Sequence, residues 1–484
     1  MKLRAICLVG LGVLAVGCEH GDDGSDAAAV GQVQDQIVEV AHTAVERQSI
    51  GNCWLYSQAT WVESLNLTYL QAHPQGDGGE PTDVCVHSVC EEGDRMAADC
   101  NSCATKICDA DPYCCNTGWD SLCTGAVASL CGADACDTSP EPPPPAEPVE
   151  PLDVSQSYWT YWHWFDQVTD NFYGDEIQTG GWQWKSNAIV RDRGVMNELD
   201  FVPEDSDDER SQRQADALAA INTALKSGEL STQDARRDGE TVRRVFDEAW
   251  GLSEEVRAHI DTAFGADGET TLRTGGTVAG TPILDPATIP VQYTVREDGQ
   301  SVVKVTNLVE AIGDWSVARY PGYGSASQRR SFQQRVQRAL HDQNPVVITW
   351  DVDFNAMVDG AFNLDNLAAA GAPGRQGGHM TVLADYQATT DDFGLFEAGV
   401  TLDESDPQYG DKVDALMSST TEIDYLRTKN SWGTRDGEPL GYHQLHMDYL
   451  DGPIKFCPGT DNPTNETCTG ESNPWRDAML PPGY

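Results

Sequence analysis

The chain has 484 residues, 39% of them hydrophobic, which is more than one typical domain and enough for a large core. Its 77 acidic residues outweigh 31 Lys and Arg, giving a formal net charge of −46 and a pI near 4.3. A field of that sign repels phosphate backbones and anionic lipid headgroups, which argues against nucleic acid and anionic membrane faces as partners.

The first segment reads as an export signal. Lys2 and Arg4 precede an apolar run from Ala5 to Val16, too short to span a bilayer as a helix. It ends LAVGC, with small residues just before Cys18, an arrangement that resembles the bacterial lipobox. That resemblance implies lipidation of Cys18 and an exported bacterial lipoprotein, membrane-anchored on the periplasmic face or cell surface. An ordinary signal peptide cut nearby is the alternative. Residues 1–18 are thus the signal and lipobox, and residues 19–36 a Gly/Asp/Ala-rich tether with no core-forming pattern.

From residue 37 the chain turns globular. A lead-in segment runs into a helix, with Trp54, Ser57, Trp61, Ser64 and Leu65 at helical spacing up to residue 69. A Gly/Pro/Asp-rich loop follows. Residues 85–136 hold ten of the fifteen cysteines in a stretch too small to bury much core, so disulfides are expected to hold it. The Cys100–Cys103 CxxC has no second CxxC at finger spacing and only one His nearby, so no metal is expected there. This inserted module serves adhesion or substrate presentation, or is a spacer; the sequence does not separate these. Residues 137–151, containing SPEPPPPAEPVEP, are a stiff linker.

The globular sequence resumes at 150. DVSQSYWTYWHWFDQVTDNFY reads as an aromatic core helix, and residues 206–268 as charged helices. From 290 the period changes to two: VQYTV, SVVKV, PVVITWDVDF, HMTVLADYQA, FGLFEAGVTL, TEIDYLRTKNSW and GYHQLHM, with a helix over 329–342. Helices followed by strands predict an α+β chain of two lobes with a cleft between them. Residues 457–484 are expected to form a tail carrying a Cys457–Cys468 loop.

Cysteine arithmetic then singles out one residue. With Cys7 in the signal and Cys18 lipidated, the module's ten and the pair Cys457 and Cys468 suit six disulfides, and Cys53 is left over. It sits between Gly51-Asn52 and Trp54, where the helix should begin. The helix dipole and free backbone N–H groups there favour a thiolate, the nucleophilic form, and the Cys53 N–H could support an oxyanion. Such a thiol needs a base, and the base an orienting group. Of ten histidines, His379 stands apart, just after Gly-Gly at the mouth of a buried-looking strand. Fifty-one residues on, Asn430 in KNSWG offers an amide oxygen to fix the ring, with Trp432 to shield the bond. The plain alternatives are a buried structural thiol, a strand-end histidine and a turn asparagine.

GNCWLYS at Cys53, GGH at 377–379 and NSWG at 430–433 together resemble the papain-like cysteine peptidases, in the order Cys, His, Asn. DVSQSYWTYWHWFD, GGWQWKSNAIVRDRGVM and the helical insertion resemble the bleomycin-hydrolase branch. The likeness covers residues 37–69 and 150–456 and implies a two-lobed papain-like fold. It implies Cys53 as nucleophile, His379 as general base and acid, Asn430 as orienting residue and Gln48 as oxyanion-hole amide. Gly180 and Gly181 would line the substrate cleft, a plain turn being the alternative, and Trp432 would border it. A peptide or protein substrate is implied, with no cofactor, no metal and no nucleic acid; the oligomeric state is left open.

Several features depart from that pattern. Gln48 lies five residues before Cys53, where the family has six. Only 34 residues separate Cys18 from Cys53, too few for an inhibitory pro-segment. The end, ESNPWRDAMLPPGY, and the cysteine module are foreign to the branch, so its exopeptidase trimming and ring assembly are not implied. A papain-fold binding or scaffold protein that has lost turnover is the competing expectation, and transglutaminase-like acyl transfer a weaker one.

Overall fold

The computed structural model describes residues 40–73, 88–96, 102–132, 151–170, 174–205, 211–399, 402, 405–433, 441–460 and 463–484. Cys18 with the expected signal and tether, Cys85, Cys100, Cys136 and most of the proline-rich linker lie outside them. The chain divides into a unit of Met1–Tyr69 with Leu152–Tyr484 and a second unit of Leu70–Pro151.

The larger unit starts from two helices that are apolar on nearly every side. Helix α1, Cys53–Ala72, buries Trp54, Leu55, Trp61, Val62 and Leu65, and α2, Gln156–Thr169, buries Tyr158, Trp159, Tyr161, Trp162 and Phe165. A helix buried all round must also satisfy its polar side chains. Gln58 of α1 accepts from Ser186 Oγ at 2.9 Å, and the Tyr158 hydroxyl donates to the Arg193 carbonyl at 2.6 Å. Around them pack α3 (Gln183–Arg193), α4 (Gln212–Ser227), α5 (Gly239–Ala249) and α6 (Glu254–Phe264). Ser155, Ser211 and Ser253 cap α2, α4 and α6 through side-chain oxygens, stopping each helix at a defined residue.

The strands come next. β1 (Pro290–Glu297) and β2 (Gln300–Asn307) form a hairpin whose two-residue turn, Asp298-Gly299, takes positive φ at both positions, the geometry that matches strand twist. Helix α7, Ala326–His341, begins three residues earlier than the sequence pattern suggests, at a Ser325–Gln328 capping box. Among the described residues the main sheet has nine strands: β3 (Ser316–Arg319), β4 (Val346–Asp353), β5 (Met357–Val358), β6 (Ala361–Phe362), β7 (Gln376–Thr390), β8 (Gly394–Phe396), β9 (Glu422–Lys429), β10 (Tyr442–His446) and β11 (Trp475–Leu480). Their order is β3-β11-β4-β7-β9-β10-β6-β5, with β8 on β7, all antiparallel except β10 with β6. The architecture is mixed α+β.

Alternation along β4 shows how the sheet serves two cores. Val347 packs into the helical cluster, while Val346, Ile348, Trp350 and Val352 face the opposite cluster with Leu383, Leu426 and Trp475. Two expectations change here. The expected tail contributes β11, seated between β3 and β4, because the slot between them offers ladder partners on both edges. Within FGLFEAGVTL the described strand covers only Gly394–Phe396.

The smaller unit packs Met96, Ala104, Ile107, Trp119 and Val127 between helices Ser102–Ala110 and Ser121–Leu130. Disulfides Cys103–Cys131, Cys108–Cys115 and Cys114–Cys123 tie it, and Cys90 is disulfide-bonded as well. In the larger unit Cys457 pairs with Cys468. Cys53 is the free cysteine among the described residues.

Candidate active site

The sheet half of the site is set by β7, β9 and β10. His379 lies on β7 opposite Trp350 of β4, and Asn430 follows Lys429, the last residue of β9. His379 Nε2 and Asn430 Oδ1 are 2.7 Å apart, and Oδ1 also accepts from the Ser431 N–H at 2.8 Å. The other end of the amide, Nδ2, lies 3.2 Å from His443 Nδ1 on β10. An amide oxygen can only accept, so His379 carries its proton on Nε2 and leaves Nδ1 as a lone pair. That Nδ1 is buried and has no hydrogen-bond partner among the described residues. Trp432 stacks on the imidazole, ring centroids 4.7 Å apart and 17° between planes, and closes one face of the His379–Asn430 bond.

The helix half is Cys53, first residue of α1 and half-buried. Backbone N–H groups of Met380, Trp54 and Cys53 itself favour its thiolate form. Met380 directly follows His379 on β7, and His379 Nδ1 makes no hydrogen bond to the Cys53 sulfur. Burial pushes the thiol up to about 11, against the three amides, and pushes His379 down to about 4, against its bond to Asn430. The expectation of a thiol lowered by the helix end is therefore corrected for the resting site. Desolvation outweighs the backbone N–H groups at the thiol and the Asn430 bond at the imidazole, favouring the neutral form of each.

Gln48 is brought beside Asn430 by pairing of its own backbone. The Gln48 N–H donates to the Ser431 carbonyl at 2.8 Å, and Arg47 bridges to Trp432. Its side chain accepts from Ser431 Oγ at 2.6 Å and gives one Nε2 hydrogen to the Ile50 carbonyl at 2.8 Å. Gly181 lies against the residue after the nucleophile candidate. A Cβ there would fall 2.3 Å from the Trp54 ring, and the Trp54 indole N–H donates to the Thr179 carbonyl at 3.0 Å. So the Gly180-Gly181 segment runs along Trp54, with Trp182 and Trp184 exposed beyond it.

Behind Asn430 lies an ionisable seam that sequence pattern missed. Lys429 Nζ donates to Thr43 Oγ1 at 2.9 Å, Thr43 donates to Glu63 at 2.5 Å, and Glu46 accepts from Gln156 at 2.6 Å. Burial, reinforced by Glu63, raises Glu46 to about 8, while burial lowers Lys429. Carboxylate oxygens of Glu46, Asp153 and Glu198 also approach within 4.8 Å of one another. His443 was likewise missed as a partner of Asn430; its one signal is alternation with His446 in a late strand. A cavity of about 350 Å³ between the helices, lined by Phe201, Arg213, Trp250 and His259 among others, holds none of the site residues.

Residues 83–136 match a family described as a domain of unknown function (DUF8252). No curated protein matches the chain. The match stays within the stapled unit and does not reach Cys53, His379 or Asn430. No helix among the described residues is long and apolar enough to cross a membrane.

Proposed function

We propose that the chain is a cysteine-type peptidase of papain-like, two-lobed architecture, near the bleomycin-hydrolase branch, with a disulfide-rich insertion. In this reading it is exported and held to a bacterial membrane by lipid on Cys18. The observation that carries it is His379, oriented through Nε2 by Asn430 and left with a buried Nδ1 that has no hydrogen-bond partner among the described residues.

His379 enters the cycle neutral, as a general base must. It takes the Cys53 proton on Nδ1 as the sulfur attacks a peptide carbonyl. The two charges form together, and their mutual attraction offsets the desolvation that each would face alone. The backbone N–H groups at the start of α1 face the developing oxyanion, supplemented by the Gln48 Nε2 hydrogen that Ile50 does not take. Nδ1–H then protonates the departing amine. Water attacks the thioester with His379 again as base, releasing acid and free thiol.

Hydrolysis of a mixed fluorogenic peptide library by the full-length chain in detergent, beside Cys53→Ala, tests this. Turnover by the wild type and complete loss in the mutant are expected. A second reading, a papain-fold binding lipoprotein without turnover, draws on the half-buried thiol with its raised pKa and the partly committed Gln48. No turnover with either protein, and no alkylation of Cys53, favours it.

A further inference from the structure

Asn52 directly precedes α1 and is 1% exposed. An asparagine at that position ordinarily turns its side-chain oxygen onto a backbone N–H of the first helical turn. Here the N–H available to such a cap is that of Trp54, because Leu55 N already bonds the Asn52 carbonyl at 2.9 Å. Asn52 does not cap. Its Nδ2 instead donates outward, to Gln214 Oε1 at 2.9 Å and Thr160 Oγ1 at 3.0 Å. Its Oδ1 is buried with no hydrogen-bond partner among the described residues, so the Trp54 N–H carries no cap from the Asn52 side chain.

Gln214 is built to hold that posture. It is fully buried in the first turn of α4, and its backbone N–H donates to Ser211 Oγ at 3.2 Å. Its Nε2 donates to Ser157 Oγ at 3.0 Å and to the Tyr56 hydroxyl at 3.3 Å, which fixes the amide so that Oε1 faces Asn52. We propose that Gln214 is a positioning residue that holds the Asn52 side chain away from the Trp54 amide, keeping that amide available to the Cys53 sulfur and the oxyanion. The helical insertion thereby takes part in the chemistry it flanks. The role rests on Cys53 being the nucleophile, but its test need not rest on peptide turnover.

The test reads Cys53 alkylation by iodoacetamide at one fixed neutral pH, in the full-length chain, for Gln214→Met, Asn52→Ala, Asn52→Ser and the double variant Gln214→Met/Asn52→Ala. Methionine keeps the volume of Gln214 and removes its polar ends. Freed Asn52 then caps Trp54, and alkylation is expected to slow roughly tenfold as the thiolate loses a donor. Where peptide turnover is measured, kcat falls on the order of 10²-fold with KM unchanged. Asn52→Ala leaves no cap and keeps the wild-type rate; the double variant returns to that rate. Asn52→Ser caps without any change at Gln214, and slows alkylation as Gln214→Met does. A double variant as slow as Gln214→Met overturns the proposal, since the loss is then one of packing. A serine variant as fast as the alanine variant overturns it too. Fast alkylation of the wild type without peptide turnover counts against the peptidase reading and leaves this comparison intact.

Discussion

The two halves of the candidate site are held by different means. His379 and Asn430 hang on adjacent antiparallel strands, β7 and β9, whose register is set by backbone ladders and by cores on both faces. Cys53 opens a helix whose preceding residue, Asn52, has its side chain held by Gln214 and Thr160. A ladder shares its load over many bonds, so removing one side chain leaves the backbone in place. A side-chain network has few members, each buried, and losing one leaves the others unsatisfied. The positions of His379 and Asn430 therefore rest on shared ladders, while the posture of the Asn52 side chain depends on single partners.

The sheet half breaks most sharply at the imidazole's orientation. Asn430→Ala removes the acceptor of the Nε2–H, and peptide turnover should fall on the order of 10²-fold while thermal unfolding stays close to wild type, because β7 and β9 keep their ladder. A parallel collapse of stability would contradict the contrast drawn above.

The helix half should respond through packing. In Gly181→Ala the new methyl meets the Trp54 ring, and a rigid neighbour of that kind raises the cost to roughly 1–3 kcal/mol. Denaturant unfolding should report that loss, and the alkylation rate of Cys53 should change with it, since Trp54 is the next residue. Unchanged alkylation would detach the glycine segment from the nucleophile.

The smallest effect belongs to the seam joining the halves. Glu46 titrates near 8 in the folded chain, above its ordinary carboxyl value, so the folded state holds the proton more tightly. Its contribution to stability is complete below the ordinary carboxyl range and is lost as pH rises through about 8. Glu46→Gln should match wild type at acid pH and melt higher at alkaline pH, by on the order of 1 °C in a chain this large. His379, lowered to about 4, acts in the opposite sense, favouring the fold above the ordinary imidazole value and losing that contribution as pH falls.

The sequence by itself determined the class of elements and singled out the reactive candidates. Alternation from Ile348 to Phe354 and the all-round apolar α2 segment encode their environments locally, because period reports which faces are covered. Cys53 was legible from arithmetic, one thiol left by an even set, and His379 and Asn430 from short motifs. Only the tertiary structure decided how these groups are held. Asn52 meets Gln214 across 162 positions and Lys429 meets Thr43 across 386, and a single amide or ammonium carries no periodic mark of its partner. The thiol's rise rather than fall was hidden for a related reason. A helix end is visible in sequence, while the desolvation that outweighs it is the sum of every group packed around the sulfur. The final strand was hidden as well, since WRDAML becomes β11 through ladder pairing with β3 on one edge and β4 on the other, both distant in sequence.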